Sequence, residues 1–190
     1  MAGEEFIDLV RFRNDGEDFH INWTTRRALR ILGREGLTAV AVEGISDQDR
    51  FKGKRIAAGL LVADTVEYYG GEDFDTASRI VVNQLKYSTQ HKDTAWPWGD
   101  IEPVLREFAE RYRAYASKAG AKAARSKLRF RFITNRPVSR NVLDAIAYLA
   151  GRSANTPKGH ALNAANAIPV ATGLDAKGLA AFLALVELAR

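Results

Sequence analysis

One aspartate interrupts the run Leu60-Leu-Val-Ala-Asp-Thr-Val66, whose other side chains are apolar apart from Thr65. A run of this kind belongs in a protein core. A carboxylate is costly there unless it is paired, hydrogen-bonded or bound to a metal. The run continues to Tyr69 and stops at Gly70-Gly71, so 60–69 is predicted as a strand with Asp64 in its middle. The next apolar run, Arg79–Tyr87 (RIVVNQLKY), is rich in β-branched residues and is also predicted as a strand. Side chains alternate across a strand, so Gln84 and Lys86 share a face with Val82, and Val81, Asn83 and Leu85 take the other. If the two strands are neighbours, Asp64, Gln84 and Lys86 converge at one edge of a sheet.

The surrounding chain supplies the rest of an α/β unit. Phe19, Trp23, Leu29 and Leu32 form an approximately helical stripe, which predicts a helix over 19–32 ended by Gly33 and Gly36. Leu37–Ile45 is predicted as a strand and Ser46–Arg55 as a loop. Asp100 is a suitable N-cap for a helix with apolar positions at Ile101, Val104, Leu105, Phe108, Tyr112 and Tyr115, ending at Gly120. Leu128–Thr134 alternates apolar and basic residues, as a half-exposed strand does, and Asn135-Arg136-Pro137 breaks it. Ser139 can cap a helix through Leu149; 153–171 is ambiguous; Leu174–Ala189 is predicted as a last helix. This order, α-β-β-β-α-β-α-α, predicts an α/β sandwich with a mixed four-stranded sheet. The expected organisation is one domain over 1–190, with a core at about 15–150 and a helical annex at about 151–190. An end inside an apolar helix, without a tail, is what an N-terminal fragment of a longer protein shows.

Composition narrows the chemistry. There are no cysteines, which excludes disulfides, thiolate zinc sites and a cysteine nucleophile and suits the reducing cytoplasm. No apolar run reaches the length of about 18 residues that a membrane helix needs, and the acidic N-terminus lacks the apolar core of a secretion signal. The net charge of +5 is unevenly spread: Arg111 to Arg140 contains no carboxylate. A basic half that holds phosphates beside an acid-bearing half that holds metal is a nuclease-like distribution. A solvated helix face followed by a basic loop is the plainer explanation. Lys127, Arg129, Arg136 and Arg140 in this stretch, with Arg27 on the first predicted helix, are the expected DNA contacts.

A hard divalent cation takes oxygen ligands. Asp64 offers a carboxylate, Gln84 an amide oxygen, Leu85 a main-chain carbonyl, and Glu43, at the end of the first predicted strand, a further acid. Lys86 can orient a water or neutralise charge on a phosphate. Glu67 has the opposite parity to Asp64 and ranks lower. His20 could approach the site from the first helix. His91 and His160 have no metal-ligand spacing, and Trp96 and Trp98 suit packing better than nucleic-acid contact. Thr134, Asn135 and Arg136 stand at a strand end, where phosphate-positioning groups often lie. No phosphate-binding loop of the Gly-x-x-x-x-Gly-Lys-Ser/Thr kind occurs. The structural alternative is that Asp64 caps a bulge and forms a salt bridge with Lys86.

The element order and the Asp/Gln-x-Lys placement resemble the restriction-endonuclease-like superfamily, whose motif is written PD-(D/E)xK. VEG at 42–44, ADTVEYYGG at 63–71, NQLKYST at 83–89 and FITNRPVS at 132–139 resemble one branch more closely. That branch is the double-stranded-DNA endonuclease domain of prokaryotic antiphage systems, found in CBASS effectors and in Avs-type STAND NTPases. The resemblance covers roughly 15–189. It implies Mg²⁺- or Mn²⁺-dependent, largely sequence-nonspecific cleavage of double-stranded DNA, switched on when an attached sensor module self-associates. Asp64, Gln84 and Lys86 carry over by motif, and Glu43 less directly. Gln84 stands where the superfamily more often has an acid, which removes a negative charge from the metal site. Val62-Ala63 stands where proline often precedes the aspartate. The rival expectations are a catalytically degenerate fold that only docks DNA or a partner, a ribonuclease or structure-specific nuclease, and an assembly scaffold using the 174–189 helix.

Overall fold

The computed structural model describes residues 2–33, 35–46, 49, 63–89 and 91–189, with 2–14 and 189 described by backbone alone. Two antiparallel pairs open the sheet, β1 (Leu37–Val42) with β2 (Thr65–Tyr69) and β2 with β3 (Arg79–Lys86). It then continues in parallel, β3 with β4 (Leu128–Thr134) and β4 with β5 (Val186–Ala189). The result is a mixed five-stranded sheet in sequential order. Helices α1 (Ala2–Ala28), α2 (Trp98–Ala119), α3 (Ala121–Lys127), α4 (Arg140–Leu149), α5 (His160–Thr172) and α6 (Ala176–Leu183) flank it.

The fifth strand corrects the expected four. Residues 186–189 fit the end of an apolar helix by local pattern, but α6 stops at Leu183 and the chain extends. Val186 pairs with Phe130 and Leu188 with Phe132, while Glu187 sits between them beside Arg131. Alternation wins because the open edge of β4 offers main-chain partners, beginning with Phe130 N–H donating to the Leu185 carbonyl at 2.9 Å.

Other boundaries move for local reasons. The first helix runs from Ala2 to Ala28 and finishes in a 3-10 turn, Leu29–Leu32. Its predicted stripe is therefore not a buried seam: Leu29 and Leu32 are exposed, Leu32 by 85%. Helix α2 starts at Trp98 with Pro97 at the N-cap, so Asp100 lies inside the first turn. Its apolar face is buried as expected, through Ile101, Leu105, Phe108 and Tyr112. β1 ends at Val42, three residues early. β2 begins at Thr65, so Asp64 stands at the entry of the strand and not in its middle; 60–62 and most of 46–55 lie outside the described residues.

The core lies between one sheet face and the helices. Phe130 is its centre, packing on Phe108 of α2 (5.2 Å between centroids) and Phe182 of α6 (5.7 Å). Full burial of one such ring contributes about 1.5–3 kcal/mol. Val66, Tyr68, Ile80 and Val82 belong to the same cluster. By parity Asp64, Gln84 and Lys86 share their face, at the far end of β3.

Candidate functional site

Asp64 is placed by the ladder between β2 and β3. Thr65 pairs with Asn83, so Asp64 stands opposite Gln84, one step beyond the register. Its Oδ2 accepts the Leu85 N–H at 2.5 Å and the Gln84 Nε2–H at 2.8 Å. Its main-chain carbonyl accepts the Glu43 N–H at 2.8 Å. Glu43 has a left-handed backbone with φ of 50°, a conformation costly for a non-glycine residue and often held at functional sites. Glu43 and Asp64 line a cavity of about 240 Å³ together with His20, Thr24 and Thr25 of α1. His20 also lies with Nε2 3.2 Å from the Leu85 carbonyl oxygen. A carbonyl only accepts, so Nε2 carries the proton in that contact.

Burial pushes the Asp64 carboxyl above its ordinary range. The Leu85 N–H and the positive charges of His20 and Arg111 oppose the rise, and Glu107 adds to it. Arg111 is buried on α2 and lies 3.6 Å from Glu107 one turn earlier. Burial lowers the Arg111 pKa, while Glu107 and Asp64 hold it up. Neither Glu107 nor Arg111 stands out in sequence as a site residue. The available signal is that Arg111 occupies the apolar stripe of α2, between Phe108 and Tyr115.

The expected residues are brought together unequally. Asp64, Glu43 and His20 share the cavity, and Gln84 touches Asp64 directly. Lys86 does not line the cavity: its Nζ stands 5.7 Å from the Trp96 ring centroid, and among the described residues it makes no ion pair. The Asp64–Lys86 salt bridge of the structural alternative is therefore absent, and main-chain and amide donors take its place.

Each of the expected DNA contacts has a partner within the chain, at buried positions for Arg136 and at exposed ones for Arg129 and Arg140. Arg27 forms a bidentate ion pair with fully buried Glu67, Nε to Oε1 at 2.9 Å and Nη2 to Oε2 at 2.6 Å, and Nη2 also reaches the Tyr69 hydroxyl. Burial alone would raise the Glu67 pKa; Arg27, Tyr69 and Asn83 outweigh it and hold the carboxyl below its ordinary value. Arg136 is buried, stacks over Trp96 at 3.9 Å and donates to the Thr94 carbonyl. Lys127 donates to the Phe74 and Asp75 carbonyls, and Arg129 to those of Arg125 and Leu128. Arg140 pairs with Asp144 while remaining 85% exposed. Arg129 aligns with Val81 across β3–β4, which puts it on the sheet face opposite Asp64.

Asn135-Arg136-Pro137 is a clamp. The Asn135 side chain accepts the Ser88 N–H and donates to the Ser88 carbonyl. Trp96 N–H donates to the Pro137 carbonyl, and Trp96 Nε1–H to Thr134 Oγ1. These bonds tie the chain leaving β3 to the chain leaving β4, and so fix the strand end that carries Gln84 and Lys86.

Among the described residues, no three Asp, Glu or His side chains converge closely enough to hold a metal by themselves. The donor set still suits a hard cation in one respect. Gln84 Oε1 is buried and accepts no hydrogen bond from the described residues, an omission that costs about 1–3 kcal/mol. An oxygen-seeking cation beside Asp64 would satisfy it. No family model matches the chain, and no curated protein matches it.

Proposed function

We propose that the chain is a divalent-metal-dependent nuclease domain acting on double-stranded DNA. The observation that carries this reading is Asp64 at the strand end, where it shares a cavity with Glu43 and accepts from the Gln84 amide, whose oxygen is buried and has no partner among the described residues. Asp64, Glu43 and Gln84 Oε1 would hold Mg²⁺ or Mn²⁺, which when bound polarises the phosphodiester and acidifies an attacking water. The Leu85 N–H and the clamp at Ser88 hold the strand end still. Lys86 places an ammonium at the same strand end, where it opposes negative charge developing on the leaving oxygen. His20 steadies the Leu85 carbonyl. A role as a defence effector, activated when an attached sensor self-associates, rests on the sequence resemblance. A restriction-endonuclease-like core agrees with a mixed sheet flanked by helices.

The test is nicking of supercoiled plasmid by the assembled full-length protein in Mg²⁺, compared with Asp64→Asn and Lys86→Ala. Both variants should lose at least 100-fold in rate, and chelation should abolish cutting. Cutting that survives in both variants would sink the assignment. Plasmid binding without any cutting in the assembled protein would favour the docking module.

A further inference from the structure

The sheet face turned away from Asp64 carries a second charged site. Arg79 of β3 and Arg129 and Arg131 of β4 stand on it, and Arg27 and Arg30 approach from α1 and the turn that follows. They enclose a groove of about 490 Å³ that Tyr69 and Val81 also line. That volume lies within the range of small-ligand sites, roughly 300–1,000 Å³.

The charges do not cancel. Glu67 offsets Arg27, Glu35 offsets Arg30 (3.3 Å), and Glu187 offsets Arg131 (2.9 Å). Arg79 and Arg129 have no carboxylate partner among the described residues. They are nevertheless held in place. The Arg79 guanidinium lies 3.8 Å from the Tyr69 ring centroid, and Arg129 Nη1 donates to two main-chain carbonyls. A guanidinium has five N–H donors in a planar fork, so both retain donors for a ligand. The two outer pairs, Arg30–Glu35 and Arg131–Glu187, are exposed enough to open readily. Guanidiniums that line one groove with spare donors match the oxygens of planar or tetrahedral oxyanions, and several of them side by side suit a ligand with more than one phosphate.

We propose that this groove binds a ligand carrying two or more adjacent phosphate groups, with Arg79 and Arg129 as its principal contacts. It lies on the other side of the sheet from Asp64, and its existence does not depend on nuclease activity. Adjacent phosphates occur in free oligophosphates and nucleotides and also along a nucleic-acid strand; the chemistry is shared.

The test is isothermal titration of the full chain in metal-free, low-salt buffer with sodium tripolyphosphate, and competition by a 12-nucleotide single-stranded DNA. One tripolyphosphate should bind per chain. Arg79→Gln/Arg129→Gln should weaken it at least tenfold. Lys118→Gln/Lys122→Gln, which removes the same charge at exposed positions, should change it less than twofold. Arg79→Lys/Arg129→Lys keeps the charge but loses the fork; it should weaken binding at least threefold, and it serves if the glutamine variant fails to fold. Displacement by the oligonucleotide identifies a nucleic-acid strand as the source; tripolyphosphate binding without displacement identifies a small oligophosphate. Absence of saturable binding, equal weakening by the two glutamine pairs, or unchanged affinity in the lysine pair would overturn the proposal.

Discussion

Asp64 and Glu67 lie three residues apart, face opposite sides of one sheet, and titrate in opposite directions. Burial raises the Asp64 carboxyl above its ordinary 3.8. A raised folded-state pKa means that the native state holds the proton more tightly than the unfolded chain does. The stability from this group is complete below 3.8 and is lost as pH rises through the folded value. At neutral pH Asp64 is therefore a liability, as site residues often are. Asp64→Asn should stabilise the fold by on the order of 1 kcal/mol at pH 7, and the gain should vanish towards pH 3 while cutting is lost. Glu67 behaves inversely. Its pairing with Arg27, Tyr69 and Asn83 outweighs burial and lowers it from 4.5, so its contribution is complete above 4.5 and disappears as pH falls through the folded value. Glu67→Gln should cost about 3 kcal/mol at pH 7, with variant and wild type converging in acid. Urea titrations at pH 7 and pH 3 read both effects. A Glu67 variant as stable as wild type at pH 7 would show that the ion pair contributes nothing.

At the scale of elements, the turn between β2 and β3 decides whether Gln84 meets Asp64. A methyl group on Gly71 would stand 2.5 Å from the Thr76 carbonyl carbon and 2.6 Å from the Ala77 nitrogen, both main chain. Gly71→Ala should cost about 1–3 kcal/mol and lower nicking as the register shifts, both measurable on one preparation. The clamp is the second such device: Trp96→Phe removes the bond to Thr134 and weakens the Arg136 stack, for a loss of about 1–2 kcal/mol in chemical denaturation. How legible these elements are in sequence depends on the range of the contacts that define them. β3, β4 and the buried stripe of α2 follow from local alternation and periodicity, because burial of one face is written into each segment. Asp64 opposite Gln84 follows from parity once the two strands pair. β5 does not follow, since Val186–Ala189 suits helix or strand until the edge of β4 is beside it. The same limit hides the partners of Arg27 and Arg136. A cation in a basic stretch looks ready for phosphate, and only distant chain shows that Glu67 and Trp96 already hold these two.

For the whole molecule, folding divides the basic half into separate surfaces. Arg129 and Arg131 go to the groove behind the sheet, Lys127 to the starting end of β4, and Arg136 into the clamp. Lys86, aligned with Thr134, and exposed Arg140 remain at the end that carries Asp64. On the function proposed above, a duplex docked on Asp64 would meet few of the ten cations between Arg111 and Arg140. The salt dependence of binding counts these contacts, because log K falls with log salt by about 0.9 per phosphate neutralised on duplex DNA. A single chain with Asp64→Asn, titrated with a 20-base-pair duplex from 25 to 150 mM NaCl, should therefore give a slope of about −2 to −4 and weak binding throughout. A slope near −9 would mean that the whole basic half acts as one surface, as sequence alone suggests. Self-association would multiply the shallow slope by the number of chains on the duplex, so the increase on assembly measures how far DNA capture depends on it.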